Sequence, residues 1–259
     1  MGAQNRVAIV TGASKGIGRE ITFALVQQGF HVLAVARSTH LLNKLVQETA
    51  SLPGKLIIAH ADVTRRDEVD AAVKKALEYL GHIDVLVNNA GVELVKPVET
   101  VSDDEYAATM DTNLKGLFHF TRAVVPHMKI QGSGLIINIS STAGQRGFAE
   151  DAIYCASKFG VVGFSDALDE ELRKFGIRIC CISPGAVNTD LAKDTWSPLS
   201  DPYRPHYLQP QDVARVVLFV VDQPDHVAIE SIILRPMVEP PYSPPLPLVG
   251  KLNKKNKKH

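Results

Sequence analysis

The chain predicts an α/β fold: one domain built on a doubly wound, mostly parallel sheet of about seven strands, with helices on both faces. Three observations carry this. Short β-branched or apolar runs alternate with longer segments of helical periodicity along most of the chain. A glycine-rich turn, Thr11-Gly12-Ala13-Ser14-Lys15-Gly16-Ile17-Gly18, stands directly after the first such run and before a helical segment. At 259 residues and 45% hydrophobic content, the chain is long and apolar enough to bury one sizeable core.

The first strand is expected at Val7 to Val10 and the first helix at Ile17 to Gln28. His31 to Val35, Lys55 to His60, Ile83 to Val87, Gly134 to Ile139 and Ile177 to Ile182 read as further strands. Between them, Asp67 to Tyr79 and Ala152 to Lys174 have helical spacing. Strands and helices in alternation imply right-handed βαβ units, a parallel sheet and ligand binding beyond the carboxyl ends of the strands. Functional residues are therefore expected just after strands. Beyond Pro184-Gly185 the periodicity lapses. The stretch from about 190 to 210, with Trp196, Tyr203, Tyr207 and several prolines, reads either as a lid on an active site or as a packed surface loop. A helical run resumes near Asp212. The domain is expected to span 1–235, and residues 236–259, Pro-rich and then Lys-rich, to form a solvated tail.

The composition excludes several function classes. With 28 basic and 28 acidic residues the formal net charge is zero, so no global field draws the chain to nucleic acid or an anionic membrane. No apolar run reaches the roughly 20 residues that span a bilayer. The best candidate, Val213 to Val221, is short and carries Arg215. The N-terminus has no secretory pattern, and Arg6 stands where a myristoylation signal wants Ser or Thr. Three cysteines, two of them adjacent at Cys180 and Cys181 in an apolar run, argue against a disulfide framework and fit a reducing compartment. The histidines are scattered without ligand-like spacing, so no metal site is expected. The expectation is a soluble, cytoplasmic protein with no nucleic-acid partner and no membrane insertion.

The glycine turn sits where a dinucleotide pyrophosphate binds. Glycines allow a tight turn and close approach of backbone to a ligand, and the free N–H groups at a helix start attract a phosphate. Gly-Lys-Ser/Thr is missing at the end of the turn, which disfavours a kinase-type P-loop and ATP. After the second strand come Ala36 and Arg37, and no acid occurs between Glu20 and Glu48. An acid there would hold the ribose hydroxyls of NAD; Arg37 and Lys15 instead suit the 2′-phosphate of NADP.

Tyr154 and Lys158 stand four residues apart in Tyr154-Cys155-Ala156-Ser157-Lys158. On a helix that spacing puts the two on one face with Cβ atoms roughly 5 to 6 Å apart. A neighbouring ammonium favours the phenolate and is expected to pull the tyrosine pKa down from about 10.

Further runs join these two motifs: Asn88-Asn89-Ala90-Gly91 after the fourth strand, Asn113 in the following helix, Ser140-Ser141 after the fifth strand, and Pro184-Gly185 after the sixth. In this order and spacing the chain closely resembles the short-chain dehydrogenase/reductase family, from about Val7 to Thr189. The resemblance implies a single-domain Rossmann fold and an NADP(H)-dependent oxidoreductase that reduces a carbonyl to an alcohol, or the reverse, on a small-molecule substrate. It implies Tyr154 as general acid or base, with Lys158 lowering its pKa and holding the nicotinamide ribose. Ser141, thirteen positions before Tyr154, would stabilise charge on the carbonyl oxygen, with Ser140 and Thr142 as alternatives. Asn113 would hold a water in a proton relay, and its amide can equally bridge helix to backbone.

For the cofactor, the resemblance places Gly12, Gly16, Ile17 and Gly18 at the phosphates, with Ser14 and Lys15 in the same turn. It places Asp62 and Val63 at the adenine, and Asn89 and Gly91 near the adenosine ribose. Pro184, Gly185, Val187 and Thr189 would contact the nicotinamide. Asp62 and Asn89 are also residue types that cap turns. A 3-oxoacyl thioester reductase and a non-catalytic NADP-binding protein stay open as alternatives. Many relatives are tetramers whose interface uses a C-terminal Thr-Gly run; here that stretch reads Val227 to Pro236, so a homodimer and a homotetramer are both open.

Overall fold

The computed structural model describes residues 6–194 and 203–238. Six strands form where apolar runs predict them: β1 (Val7–Thr11), β2 (His31–Ala36), β3 (Leu56–His60), β4 (Val85–Asn88), β5 (Gly134–Ile139) and β6 (Ile177–Pro184). A seventh, β7 (Ser231–Leu234), lies in the stretch that departs from the family pattern. The helices between them are α1 (Gly16–Gln27), α2 (Thr39–Thr49), α3 (Arg66–Leu80), α4 (Asp103–Met110), α5 (Gly116–Gln131), α6 (Ala152–Leu172), α7 (Asp190–Asp194) and α8 (Pro210–Val221).

The strand order is β3-β2-β1-β4-β5-β6-β7 and every pairing is parallel. Parallel central strands are covered on both faces, which is why β1, β4 and most of β2, β5 and β6 are buried end to end. On one face Ile21, Leu25 and Val26 of α1 and Val213, Val217 and Val220 of α8 pack with Val10, Val87 and Ile137. On the other, Val69 and Val73 of α3, Phe120 and Val124 of α5 and Leu168 and Leu172 of α6 pack with Ile9, Leu86 and Ile136.

The chain winds outward from β1 through β2 to β3, then returns to place β4 on the other side of β1. Opposite winding on the two sides opens a crevice at the carboxyl ends of β1 and β4. Thr11 at the end of β1 stitches its rim. Its hydroxyl accepts from the N–H groups of Asn89 and Ala90 at 3.0 and 3.1 Å. The Asn89 amide donates back to the Thr11 carbonyl at 3.0 Å.

Between α4 and α5 the helix widens into one π-helical turn, Asp111–Lys115. Such turns insert a residue without ending the helix and are frequent at functional sites. The segment expected as a tail lies outside the described residues from 239 onward, and so does Trp196.

Candidate active site

The turn after β1 is built from backbone. Gly12 has φ +64°, and a Cβ there would lie 2.9 Å from the Ala90 Cα across the crevice. Gly18, inside the first turn of α1, is packed harder still: a Cβ would lie 2.4 Å from both the Asn89 amide nitrogen and the Gly12 carbonyl oxygen. The glycines therefore let the start of α1 press onto the ends of β1 and β4, which leaves its free N–H groups facing the crevice.

A cleft of about 510 Å³ opens there. Gly12, Ser14, Lys15, Gly16 and Ile17 line one wall, Arg37 follows β2, and Asp62 and Val63 follow β3. Asn89 and Gly91 line it after β4, Tyr154 and Lys158 from α6, and Thr189 after β6. The Arg37 side chain is 72% exposed and stands 3.9 Å from the Asp62 carboxylate, leaving the guanidinium reachable from solvent. Burial opposes the Asp62 charge, but the N–H and hydroxyl of Thr64 and the Arg37 and Arg65 guanidiniums outweigh it and hold the carboxyl below its ordinary range. A cradle in which a Cβ would collide, next to a helix N-terminus and two basic side chains, fits a dinucleotide with an added phosphate. Gly18, Asn113, Ser141, Pro184, Gly185 and Val187 do not line this cleft. Gly18 packs behind the turn, Pro184 ends β6, Gly185 donates to Leu234 of β7 at 2.8 Å, and Val187 bridges to Leu208.

At the inner end of the cleft stand the groups expected to do chemistry. Tyr154 and Lys158 are one turn apart on α6 and both buried, the Lys158 Nζ lying 5.7 Å from the centre of the phenol ring. Lys158 donates to the Ile139 carbonyl at the end of β5 at 3.0 Å. Ser141, just past β5, accepts from the Ala143 N–H at 3.1 Å, and its hydroxyl partners the Tyr154 phenol. Ser140 is occupied elsewhere: its hydroxyl donates to the Lys158 carbonyl at 3.1 Å. Asn113, in the π turn, uses its whole amide. It accepts from the Val92 N–H at 2.8 Å and donates to the Val92 carbonyl at 2.8 Å and the Ser157 hydroxyl at 2.9 Å. This is the helix-to-backbone bridge, and it fixes the cleft wall beside Gly91.

The electrostatics of the pair differ from the sequence expectation. Burial, with Glu93 and Asp151 adding negative charge nearby, pushes the Tyr154 phenol above its ordinary value, and the Ser141 hydroxyl offsets this only in part. Burial also lowers Lys158 to about 8. Desolvation disfavours the charged form of both groups and is the largest influence on each. The Tyr154 phenol thus keeps its proton at neutral pH.

Comparison with known proteins decides what this arrangement belongs to. Residues 6–199 match the short chain dehydrogenase family. The chain is a short-chain dehydrogenase/reductase. This member is 33% identical over 234 residues to an uncharacterized oxidoreductase of Staphylococcus epidermidis, covering 90% of this chain and 98% of that one. Among solved structures, this short-chain dehydrogenase superposes on an alcohol dehydrogenase of Thermococcus sibiricus complexed with 5-hydroxy-NADP. The TM-score is 0.84 and the identity 29%, over 91% of this chain and 98% of the other. Serine dehydrogenase of Escherichia coli gives 0.77 at 35% identity over 88% and 96%. As a member of this family the chain is an oxidoreductase acting on CH–OH or C=O groups.

Sequence reasoning missed several residues of this short-chain dehydrogenase's site. Thr11 holds both lips of the crevice, and its only sequence signal is its place at the end of the first strand. Ser38, next to Arg37 on the cleft wall, was detectable as the residue after a basic strand end. Val92 and Thr112 carried no signal. Among the described residues no helix is long and apolar enough to cross a membrane, and no group of His, Cys, Asp and Glu side chains could hold a metal ion.

Proposed function

We propose that this short-chain dehydrogenase is an NADPH-dependent carbonyl reductase, working in reverse as an alcohol dehydrogenase, with Tyr154 as its general acid or base. The observation that carries the reading is the buried Tyr154 and Lys158 pair in a cleft lined by the glycine turn, with the half-buried Ser141 hydroxyl partnering the phenol. A bound nicotinamide would supply hydride to the carbonyl carbon, or accept it in reverse. The remaining work falls to the chain. Tyr154, kept protonated by burial, gives its proton to the carbonyl oxygen. Ser141 donates to the same oxygen as charge develops on it. Lys158 holds the ribose and supplies a positive charge beneath the phenol, and Asn113 keeps that wall in place.

Gly12, Ser14, Lys15, Gly16 and Ile17 would take the pyrophosphate, Lys15 and Arg37 the 2′-phosphate, and Asp62 and Val63 the adenine. Asn89 and Gly91 would face the ribose and Thr189 the nicotinamide, with Gly18, Pro184, Gly185 and Val187 supporting from behind. A serine dehydrogenase structure complexed with NADP+, 35% identical to this chain, and the 5-hydroxy-NADP complex of the Thermococcus sibiricus enzyme support this cofactor choice.

The half-exposed aromatic residues Tyr106, Phe118 and Phe159 on α4, α5 and α6 support a homodimer or homotetramer, and three buried free thiols support a reducing, cytoplasmic setting. A screen of ketones and 3-oxoacyl thioesters, followed by NADPH absorbance, tests the reaction. Consumption of NADPH with at least one carbonyl is the expected result. No turnover across the panel despite tight NADPH binding would favour a binding protein instead.

A further inference from the structure

The described chain returns to the cleft at Tyr203–Gln209 and lies along Ala186–Thr189. Leu208 donates to the Ala186 carbonyl at 3.0 Å and Asn188 to the Leu208 carbonyl at 2.8 Å, and Val187 pairs with Leu208 as a parallel bridge. Arg204 opens the single turn Arg204–His206 and is only 7% exposed. Its Nη2 donates to the Asn188 side-chain oxygen at 2.7 Å and to the Thr189 carbonyl at 3.3 Å.

Thr189 is the residue on which both halves of the site meet. It lines the cleft, and its methyl group lies 3.4 Å from where a Cβ on Gly16 would stand, so it packs against the glycine turn. Its hydroxyl accepts from the Ala192 N–H at 3.4 Å at the start of α7. Burying a guanidinium is costly unless its N–H groups are satisfied in fixed directions. Here those of Nη2 are directed at the Asn188 side chain and the Thr189 carbonyl.

We propose that Arg204 is a positioning residue for cofactor binding: it fixes Thr189 against the glycine turn, so that the pyrophosphate and nicotinamide end of the cleft keeps its width. This rests on the nicotinamide-cofactor reading above. Both contacts come from one nitrogen, Nη2, so a lysine ammonium, with three N–H donors on a shorter stem, restores part of the tether and methionine none of it.

The test uses the full chain and two ligands. NADPH reaches both ends of the cleft, while 2′,5′-ADP carries the adenosine, the 2′-phosphate beside Arg37 and a single 5′-phosphate, and has no nicotinamide half. R204M is expected to weaken NADPH about tenfold and R204K about threefold, with 2′,5′-ADP changed less than about twofold in both. Asn188→Ala, which removes one acceptor at a half-buried position, is expected to weaken NADPH about threefold and carries the same test if R204M fails to fold. Equal losses for both ligands, or unchanged NADPH affinity, would overturn the positioning role alone. Failure of the unaltered protein to bind NADPH or NADH would overturn the cofactor reading and this inference with it.

Discussion

The two ends of the cleft are held by different means. At the glycine turn the fit is made by close approach of main chain: Gly12 and Gly18 sit where a Cβ would collide with the Ala90 main chain, the Gly12 carbonyl or the Asn89 side-chain amide. At the Thr189 end the fit is made by a long side chain, Arg204, spanning 15 residues of sequence to reach a carbonyl. Close main-chain packing admits one residue type, so it leaves a motif. A side-chain tether can be built from many residue types and leaves none. Between the two stand Tyr154 and Lys158, two buried titratable groups whose behaviour depends on charge in a dry place rather than on space.

Breaking that middle region is expected to have the largest effect. Tyr154→Phe should lower turnover by about a thousandfold while leaving NADPH affinity within about twofold, measured by initial rates and by titration. Unchanged turnover would remove Tyr154 from the mechanism. Gly18→Ala tests the backbone-built end. With a Cβ 2.4 Å from two fixed groups, the variant should lose about 3 kcal/mol of stability in denaturant melts. A loss below about 1 kcal/mol would show that the turn can relax, and that the contrast between the ends is smaller than drawn.

The pH dependence sharpens the middle region further. Lys158 is charged below about 8 and neutral above it, whereas the Tyr154 phenol, pushed up by burial, keeps its proton through that range. Carbonyl reduction should therefore fall as pH rises through about 8, to about a tenth of its plateau one unit higher. A profile flat to pH 10 would show that the charge on Lys158 is not needed. The smallest effect is expected at the exposed rim. Arg37→Ala should lower the preference for NADPH over NADH about fivefold, since the guanidinium is largely solvated. Equal affinities of the unaltered protein for the two cofactors would remove the role given to Arg37 and Lys15.

The same contrast explains what could be read in the sequence. Six strands were legible because buried parallel strands must be continuous apolar runs, and Val7–Thr11 or Ile177–Pro184 admit little else. β7 was not, because this short edge strand leaves Ile233 53% exposed and so lacks that signature. The pairing of Tyr154 with Lys158 followed from helical spacing, but the direction of the tyrosine shift did not. Spacing brings side chains together, whereas burial, the largest influence on both groups, is a property of the folded surroundings. Arg204 and Asn188 look like ordinary loop residues until the return of the chain at Leu208 brings them together.

The π-helical turn at Asp111–Lys115 has a consequence for how this site can vary. A helix advances about 100° per residue, so one inserted residue shifts the angular phase of everything after it. α4 and α5 are therefore out of phase, and Asn113 sits at the phase break with its amide turned onto Val92 and Ser157. Substitutions along α4 leave that phase untouched. Removing a single residue from the turn would restore one continuous α-helical phase and swing Asn113 away from the cleft wall, so the site tolerates changes of residue type in α4 far better than changes in its length.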